Sequence, residues 1–357
     1  MTSTLAPAPV PEQVRTSAQV LDMLHAQRRR RRTRALITAS VLTAILLIGM
    51  IAEIVVGGSA RIELSEIPAA VIGQGEGLAD FVIFETRLPR ALAAVLVGAL
   101  FGLSGVMYQR LIGNVLATPD IIGVSAGAST GAVIVIVSAA ASGVAVQAGA
   151  LMGAALAAAL IFGLSWSKGS STYRLVLVGI GVGACFSAIT SYLLAFAGTE
   201  VSNRAMRWLI GSLSGVQWAD ITPLVITLVI GTLAALIIGP SLETIRLGDP
   251  LAAALGTRVQ LLRIAALVLG ASLAAIATSV SGPVGFIALV SGPIATRLFP
   301  EGGVLPAALV GATLLVLSDV TAQSAPVISP IPTGVLTGLV GAPILMFLLM
   351  KRKANSR

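Results

Sequence analysis

The chain has 357 residues, of which 56% are hydrophobic and only 11% charged. A water-soluble globule of that length carries roughly a quarter of its residues as charges, so this composition excludes one and leaves lipid as the solvent for outward-facing Leu, Val, Ile and Ala. The formal net charge of +8 sits beside the apolar runs, where it reads as a topology anchor on anionic lipid and speaks against nucleic acid as a partner.

Residues 1–34 form a basic tail, Ala/Pro/Ser-rich at its start, and 1–27 read as mobile. The tail ends in Arg28 to Arg32 and Arg34. It is too long and polar, and the following apolar run too extended, for a cleaved signal. The bilayer core is about 30 Å thick, so a spanning helix needs roughly 20 apolar residues. Runs 35–56, 144–166, 175–198 and 221–239 meet that requirement, the first with one charge, Glu53. Shorter or Gly/Pro-interrupted runs lie at 91–107, 121–141, 264–280, 284–295, 304–317 and 335–350. The expectation is an all-α polytopic membrane protein of about ten transmembrane helices, with a transmembrane domain over 35–350 and a short basic tail over 351–357. Juxtamembrane Lys and Arg resist translocation, so both termini are expected in the cytoplasm. Alternating the runs from there places 18 of the 23 Lys and Arg inside and five outside: Arg61, Arg87, Arg90, Arg204 and Arg207.

Little in the chain supports catalysis. No paired carboxylates or His-based dyad can be assembled, the one histidine (His25) lies in the tail, and the one cysteine (Cys185) excludes an internal disulfide or a Cys-based metal site. No cofactor or resident metal is expected. No Gly-x-x-x-x-Gly-Lys-Ser/Thr phosphate loop occurs, and the runs hold almost no ionisable residue at mid-membrane, where proton-coupled carriers place relays. Glu53 and Asp319 fall near outer helix ends and are expected to be hydrated or to snorkel. The driving energy is therefore expected from a partner. The string starting at Arg90 (Arg-Ala-Leu-Ala-Ala-Val-Leu-Val-Gly-Ala) is echoed at Arg263 (Arg-Ile-Ala-Ala-Leu-Val-Leu-Gly-Ala). An inverted repeat and chance likeness among Ala/Leu/Val strings both account for it.

Three connections carry more information. Arg87-Leu-Pro-Arg90 sets two guanidiniums on the less basic side, suited to bidentate pairing with carboxylates. The inner connection Gln109 to Asp120 contains Asn114. The connection Leu247 to Gly256 opens on Asp249-Pro250 and closes on Gly256, signals for a helix of about two turns that is too short to span.

With these residues the chain resembles the FecCD-type permeases, which import ferric siderophores, haem and cobalamin with an ABC ATPase. The resemblance runs over most of 35–350. It is carried by Arg87-Leu-Pro-Arg90, Gly98 through Gln109, Asn114-x-Leu-Ala-x-Pro-Asp120, Gly123-Val-Ser-x-Gly-Ala, Arg174-Leu-Val-Leu-Val-Gly-Ile and Trp208-Leu-Ile-Gly-Ser-Leu-Ser-Gly215 with Trp218. The helix signal at 247–256, Gly282-Pro-Val-Gly-Phe-Ile-Ala-Leu-Val290 and Pro332-Thr-Gly-Val-Leu-Thr-Gly-Leu-Val-Gly-Ala-Pro343 complete it.

That resemblance implies a type II ABC importer permease in a bacterial inner membrane, itself not an enzyme. It implies a hetero- or homodimer with a second FecCD-type permease, a cytoplasmic ABC ATPase dimer, and an extracellular or periplasmic substrate-binding protein. Arg87 and Arg90 match the arginines that receive acidic side chains of the binding protein. Gly248, Asp249, Ala252, Leu255 and Gly256 match the coupling helix seated in the ATPase. Asn114 matches a cytoplasmic gate loop, with Ser171 and Thr172 in the region of a second. The runs beginning at Arg174 and Pro332 are expected to line the pathway. The cargo implied is a ferric siderophore moved by alternating access, with haem or cobalamin as alternative cargo; a secondary carrier of small solutes and a non-transporting scaffold are the rival classes. Three departures stand out: Ser291-Gly-Pro293 where many members have Val-Pro-His or Ala-Pro-Gln, Val115 in place of a proline, and Gln323 in place of a third docking arginine. Glutamine forms no ion pair, so weaker or asymmetric docking is expected, as in one half of a heterodimer.

Overall fold

The computed structural model describes residues 17–56, 63, 65–72, 74, 77–165, 172–299, 302–324 and 331–354, and among these there is no strand. In chain order they form α1 (Ser17–Val56), α2 (Ile67–Val71), α3 (Gly77–Asp80), a π-helical stretch (Phe81–Arg87) running directly into α4 (Leu88–Ile112), α5 (Val124–Ala139), α6 (Val144–Ser165) and α7 (Thr172–Phe196). There follow α8 (Thr199–Ile210), α9 (Trp218–Ile245), α10 (Asp249–Ala254), α11 (Val259–Ser281), α12 (Ile287–Leu298), α13 (Val304–Ser324) and α14 (Thr333–Ala354).

Seven helices among the described residues are long and apolar enough to cross a membrane, within α1, the π-helical stretch with α4, α6, α7, α9, α11 and α13. This corrects the expected count of about ten such helices. The other three apolar helices, Val124–Ala139, Ile287–Leu298 and Thr333–Phe347, are shorter. For two of them the reason is a backbone break that hydropathy does not register. Gly123 takes a left-handed φ of 92°, delaying α5, and Ala140 at φ 48° ends it. Gly282 and Phe286, both at φ 68°, hold the chain irregular until α12 begins. The boundary expected at residues 34/35 is no structural break either, because α1 carries the arginine run and the apolar run as one helix.

Helix α4 is the pillar of the bundle, packed against α13, α11, α9 and α12. Its small residues make this possible, since helices in lipid gain little from hydrophobicity and associate by close packing. A Cβ on Gly105 would lie 1.9 Å from the Ala288 carbonyl oxygen, so only glycine fits at that crossing. Ser104 Oγ donates to the Gly270 carbonyl at 2.7 Å and the Tyr108 hydroxyl to the Leu267 carbonyl at 3.2 Å. Partner numbers fall as α4 numbers rise, so α4 and α11, the helices of the echoed strings, run antiparallel. Outer helices invert the soluble pattern: Val225, Ile226, Val229, Ile230, Leu233 and Ile237 leave one face of α9 exposed, where lipid is the natural solvent.

Candidate functional site

The bundle has two chemically different ends. At one end α9 stops at Ile245, and Arg246, Leu247 and Gly248 turn the chain into α10. Gly248 (φ 98°) and Gly256 (φ 83°) bracket this helix in left-handed backbone that glycine adopts without strain. Asp249 and Pro250 occupy its first turn, as expected from the sequence. The two legs of the excursion are tied by a 3.1 Å hydrogen bond between the Thr244 and Thr257 hydroxyls. Arg263 Nη2 donates to Asp249 Oδ1 at 2.8 Å. Ala252 is fully buried, while Leu247, Leu251 and Leu255 are 60, 51 and 61% exposed. Helix α10 is thus a knob anchored by its small face and presenting three leucines. Charged residues surround it, and an exposed apolar patch with a polar rim is the kind of surface that interactions use.

The α4–α5 connection lies at the same end. Gly113 closes α4. The exposed Asn114 folds its Oδ1 back to accept from the Leu116 amide at 3.0 Å, and its carbonyl accepts from Ala117. Between this loop and the end of α9 is a cavity of about 530 Å³ lined by Arg110, Val115, Gly239, Glu243, Arg246 and Pro293, among others. Glu243 is shared there by Arg110 (3.5 Å) and Arg246 (3.0 Å). Of the second expected gate loop, Ser171 lies outside the described residues. Thr172 opens α7, and its side chain also lies outside them.

At the opposite end charge is buried rather than displayed. Asp319, fully buried on α13, accepts from Arg90 Nε (2.7 Å) and Nη2 (2.8 Å), from Gln323 Nε2 (2.8 Å), and from the Thr333 hydroxyl. An ionised carboxylate offers about four lone-pair sites, so Asp319 is saturated. The remaining Arg90 nitrogen, Nη1, donates to Ser214 Oγ at 3.2 Å. Glu53 of α1 is 1% exposed; its Oε1 lies 3.9 Å from Arg90 Nε, and neither carboxyl oxygen has a hydrogen-bond partner among the described residues. Arg87, also buried, donates Nη1 to the Ile54 (2.7 Å) and Val55 (3.1 Å) carbonyls, closing the last turn of α1.

One expectation is corrected here. Glu53 and Asp319 are not hydrated at helix ends but enclosed among α1, α4, α13 and α14. Within this chain Arg87 is buried and the Arg90 side chain is 15% exposed. Arg90 meets the carboxylate pairing that its chemistry invites within the chain, since an enclosed guanidinium must be paired and Asp319 gives it a bidentate partner, whereas Arg87 donates to backbone carbonyls. The charges of this cluster were visible as rare ionisable residues at the ends of apolar runs. Ser214 and Thr333 carried no signal of their own and come from distant connections. The amphipathic helix α8 was also missed in the sequence, because its charged residues Glu200, Arg204 and Arg207 break the apolar pattern of its neighbours. Among the described residues no three or more His, Cys, Asp or Glu converge.

Comparison with known proteins agrees with this architecture. The profile of the FecCD transport family matches residues 44–351. The chain is 34% identical over 296 residues to the ferric enterobactin transport system permease protein FepG of Escherichia coli (strain K12), covering 82% of this chain and 90% of that one. It is 35% identical over 327 residues to the Fe(3+)-citrate import system permease protein YfmE of Bacillus subtilis (strain 168), covering 90% and 96%. Among solved structures, an inward-facing ABC transporter of the metal-chelate type superposes with a TM-score of 0.78 at 29% identity, over 88% of this chain and 98% of that one. A match spanning nearly the whole bundle, with the family's strings falling on the knob α10, the Asn114 loop and the pillar α4, decides the matter: the chain belongs to the FecCD transport family.

Proposed function

We propose that this membrane permease of a metal-chelate ABC importer moves a ferric siderophore across a bacterial inner membrane by alternating access. The observation that carries the proposal is α10, a knob with Leu247, Leu251 and Leu255 exposed at a polar end of a membrane protein. A cytoplasmic ATPase that receives those leucines gives them the cover they lack. ATP-driven closure of two such ATPases would then tilt α9 and α11, the helices α10 packs against. The termini and α10 lie on the cytoplasmic side in this reading, and the three shorter apolar helices carry the chain between the two ends alongside the seven long ones. The partners are an ATPase pair, a second FecCD-type permease and an external substrate-binding protein. Asn114, with Ser171 and Thr172, gates the cytoplasmic exit. Docking that engages Arg87 or Arg90 exchanges Asp319 and the α1 carbonyls for carboxylates of the binding protein. A ferric siderophore is favoured as cargo because siderophore and ferric-chelate permeases head the relatives.

Uptake of ferric chelate by proteoliposomes containing this chain and its ATPase tests the reading. Uptake should require ATP hydrolysis, and Leu255→Asp should abolish it while the protein stays monodisperse. One observation favours a second reading, an ion-driven carrier: the enclosed carboxyl of Glu53 has no hydrogen-bond partner among the described residues, and intramembrane carboxyls serve as proton relays in carriers. Uptake that persists without ATP and stops in Glu53→Gln would establish that alternative.

A further inference from the structure

At the end opposite α10, and separate from the enclosed cluster, a pocket of about 460 Å³ opens between the α5–α6 turn, α8, the α8–α9 connection and the end of α11. Its charged rim comes from α8, where Arg204 and Arg207 stand one turn apart. Arg204 Nη1 donates to the Ala140 carbonyl at 3.1 Å, and its Nη2 lies 3.7 Å from Glu200, a carboxylate that is 91% exposed. Such a surface pair contributes little, so most of the Arg204 charge remains available. Arg207 is exposed and makes no ion pair or hydrogen bond with a described residue. The one carboxylate lining the pocket, Asp220, is already engaged by Gln147 Nε2 at 2.8 Å and by the Gln217 amide at 2.9 Å.

The wall beside this rim is equally one-sided. Ser214 Oγ accepts from Arg90 Nη1 at 3.2 Å, and Ser212 Oγ accepts from the Ser214 amide at 3.1 Å. Each hydroxyl oxygen thus has one of its two acceptor positions filled. Its single hydrogen meets no acceptor among the described residues and is available to the pocket. Two guanidiniums and two hydroxyl hydrogens form a donor set that outweighs the one lining carboxylate, Asp220, an arrangement that favours an anion over a neutral ligand. A pocket of this volume falls within the range of small-molecule sites, and its concavity suits a small ligand better than a flat protein surface.

We propose that this pocket is a binding site for the carboxylate groups of an anionic metal chelate, with Arg204 and Arg207 supplying charge and Ser212 and Ser214 supplying directed hydrogen bonds. The proposal rests on the reading that a metal chelate is the cargo, and it names the class: carboxylate-bearing and anionic rather than neutral. A ligand there would also touch Ser214, which Arg90 holds, and Pro332, next to Thr333, which binds Asp319. Occupancy is therefore felt where α4, α13 and α14 meet.

The test uses the full chain in nanodiscs, with ferric citrate as the anionic probe and a neutral ferric trihydroxamate as the control. Phenylglyoxal modification of individual arginines is read by mass spectrometry. Ferric citrate should slow modification of Arg204 and Arg207 and leave Arg246, at the other end, unaffected; the trihydroxamate should protect none of them. Losing a charge-assisted hydrogen bond in Arg207→Gln should weaken ferric citrate binding about tenfold to a hundredfold, and Ser214→Ala should weaken it less. Equal modification with and without ferric citrate, or unchanged affinity in both Arg204→Gln and Arg207→Gln, overturns the proposal. Shielding of Arg207 by a docked external protein but by no small carboxylate also overturns it, by making the surface a docking site. Failure of the importer reading shows separately, as uptake that does not need ATP.

Discussion

The two ends of this bundle handle charge in opposite ways. At the Arg90 end, the guanidiniums of Arg87 and Arg90 and the carboxyls of Glu53 and Asp319 are enclosed, and Asp319 accepts all the hydrogen bonds it can take. At the α10 end, Glu243 is shared loosely by Arg110 and Arg246, its side chain is 47% exposed, and three leucines stand in water. An enclosed carboxylate with every acceptor position filled, as Asp319 has, fixes helix ends relative to one another, because any movement leaves a charge unpaired in a medium that cannot solvate it. An open, under-satisfied surface fixes nothing and is ready for a partner. The contrast teaches which end holds the bundle together and which end leaves charge and apolar surface open.

The largest expected effect is at the enclosed end. Asp319→Ala removes the bidentate partner of the enclosed Arg90, leaving only Glu53 at 3.9 Å, and should cost about 3–5 kcal/mol, read as a fall in unfolding temperature and in monodisperse yield in detergent. The double variant Arg90→Leu/Asp319→Leu should recover much of that loss, since an apolar pair of similar volume often matches a buried ion pair. Equal losses in the single and double variants would mean that the pairing does not hold the helices. Next in size is Gly105→Val, whose side chain must displace the Ala288 backbone. It should cost about 1–3 kcal/mol and loosen α12 from α4, visible as faster hydrogen exchange around Ala288. The smallest effect is expected at the open end. Arg246 and Glu243 are both about half exposed, so Arg246→Ala should change stability by about 0.2–1 kcal/mol. A loss there as large as that of Asp319→Ala would erase the distinction between the two ends.

How far the sequence revealed this depended on the range of the interaction. Composition and hydropathy sufficed for an all-α membrane protein, because lipid acts on every residue of a run independently. The α10 knob was legible from Asp249-Pro250 and Gly256, whose backbone preferences are local. The number of long helices was not. The φ values of Gly123 and Phe286 cut two apolar runs short, and a run of apolar letters contains no sign of that. The enclosed cluster was half legible. Asp319 stands out as a charge in α13, but what enclosed it was the convergence of Arg90, Thr333 and Gln323 from three helices. The same long-range pairing explains why Arg90 was expected to face outward: its carboxylate partner is 229 positions away.

The account's central claim is that α10 seats this permease on an ATPase through its exposed leucines. The direct measurement is mild-detergent co-purification of the tagged chain, with the bound proteins identified by mass spectrometry, for the native sequence and for Leu255→Asp. The account predicts an ABC ATPase with the native chain and its loss from the variant, with helical content unchanged. An ATPase retained equally by the variant, or none recovered from a well-folded native preparation even after cross-linking, would contradict it.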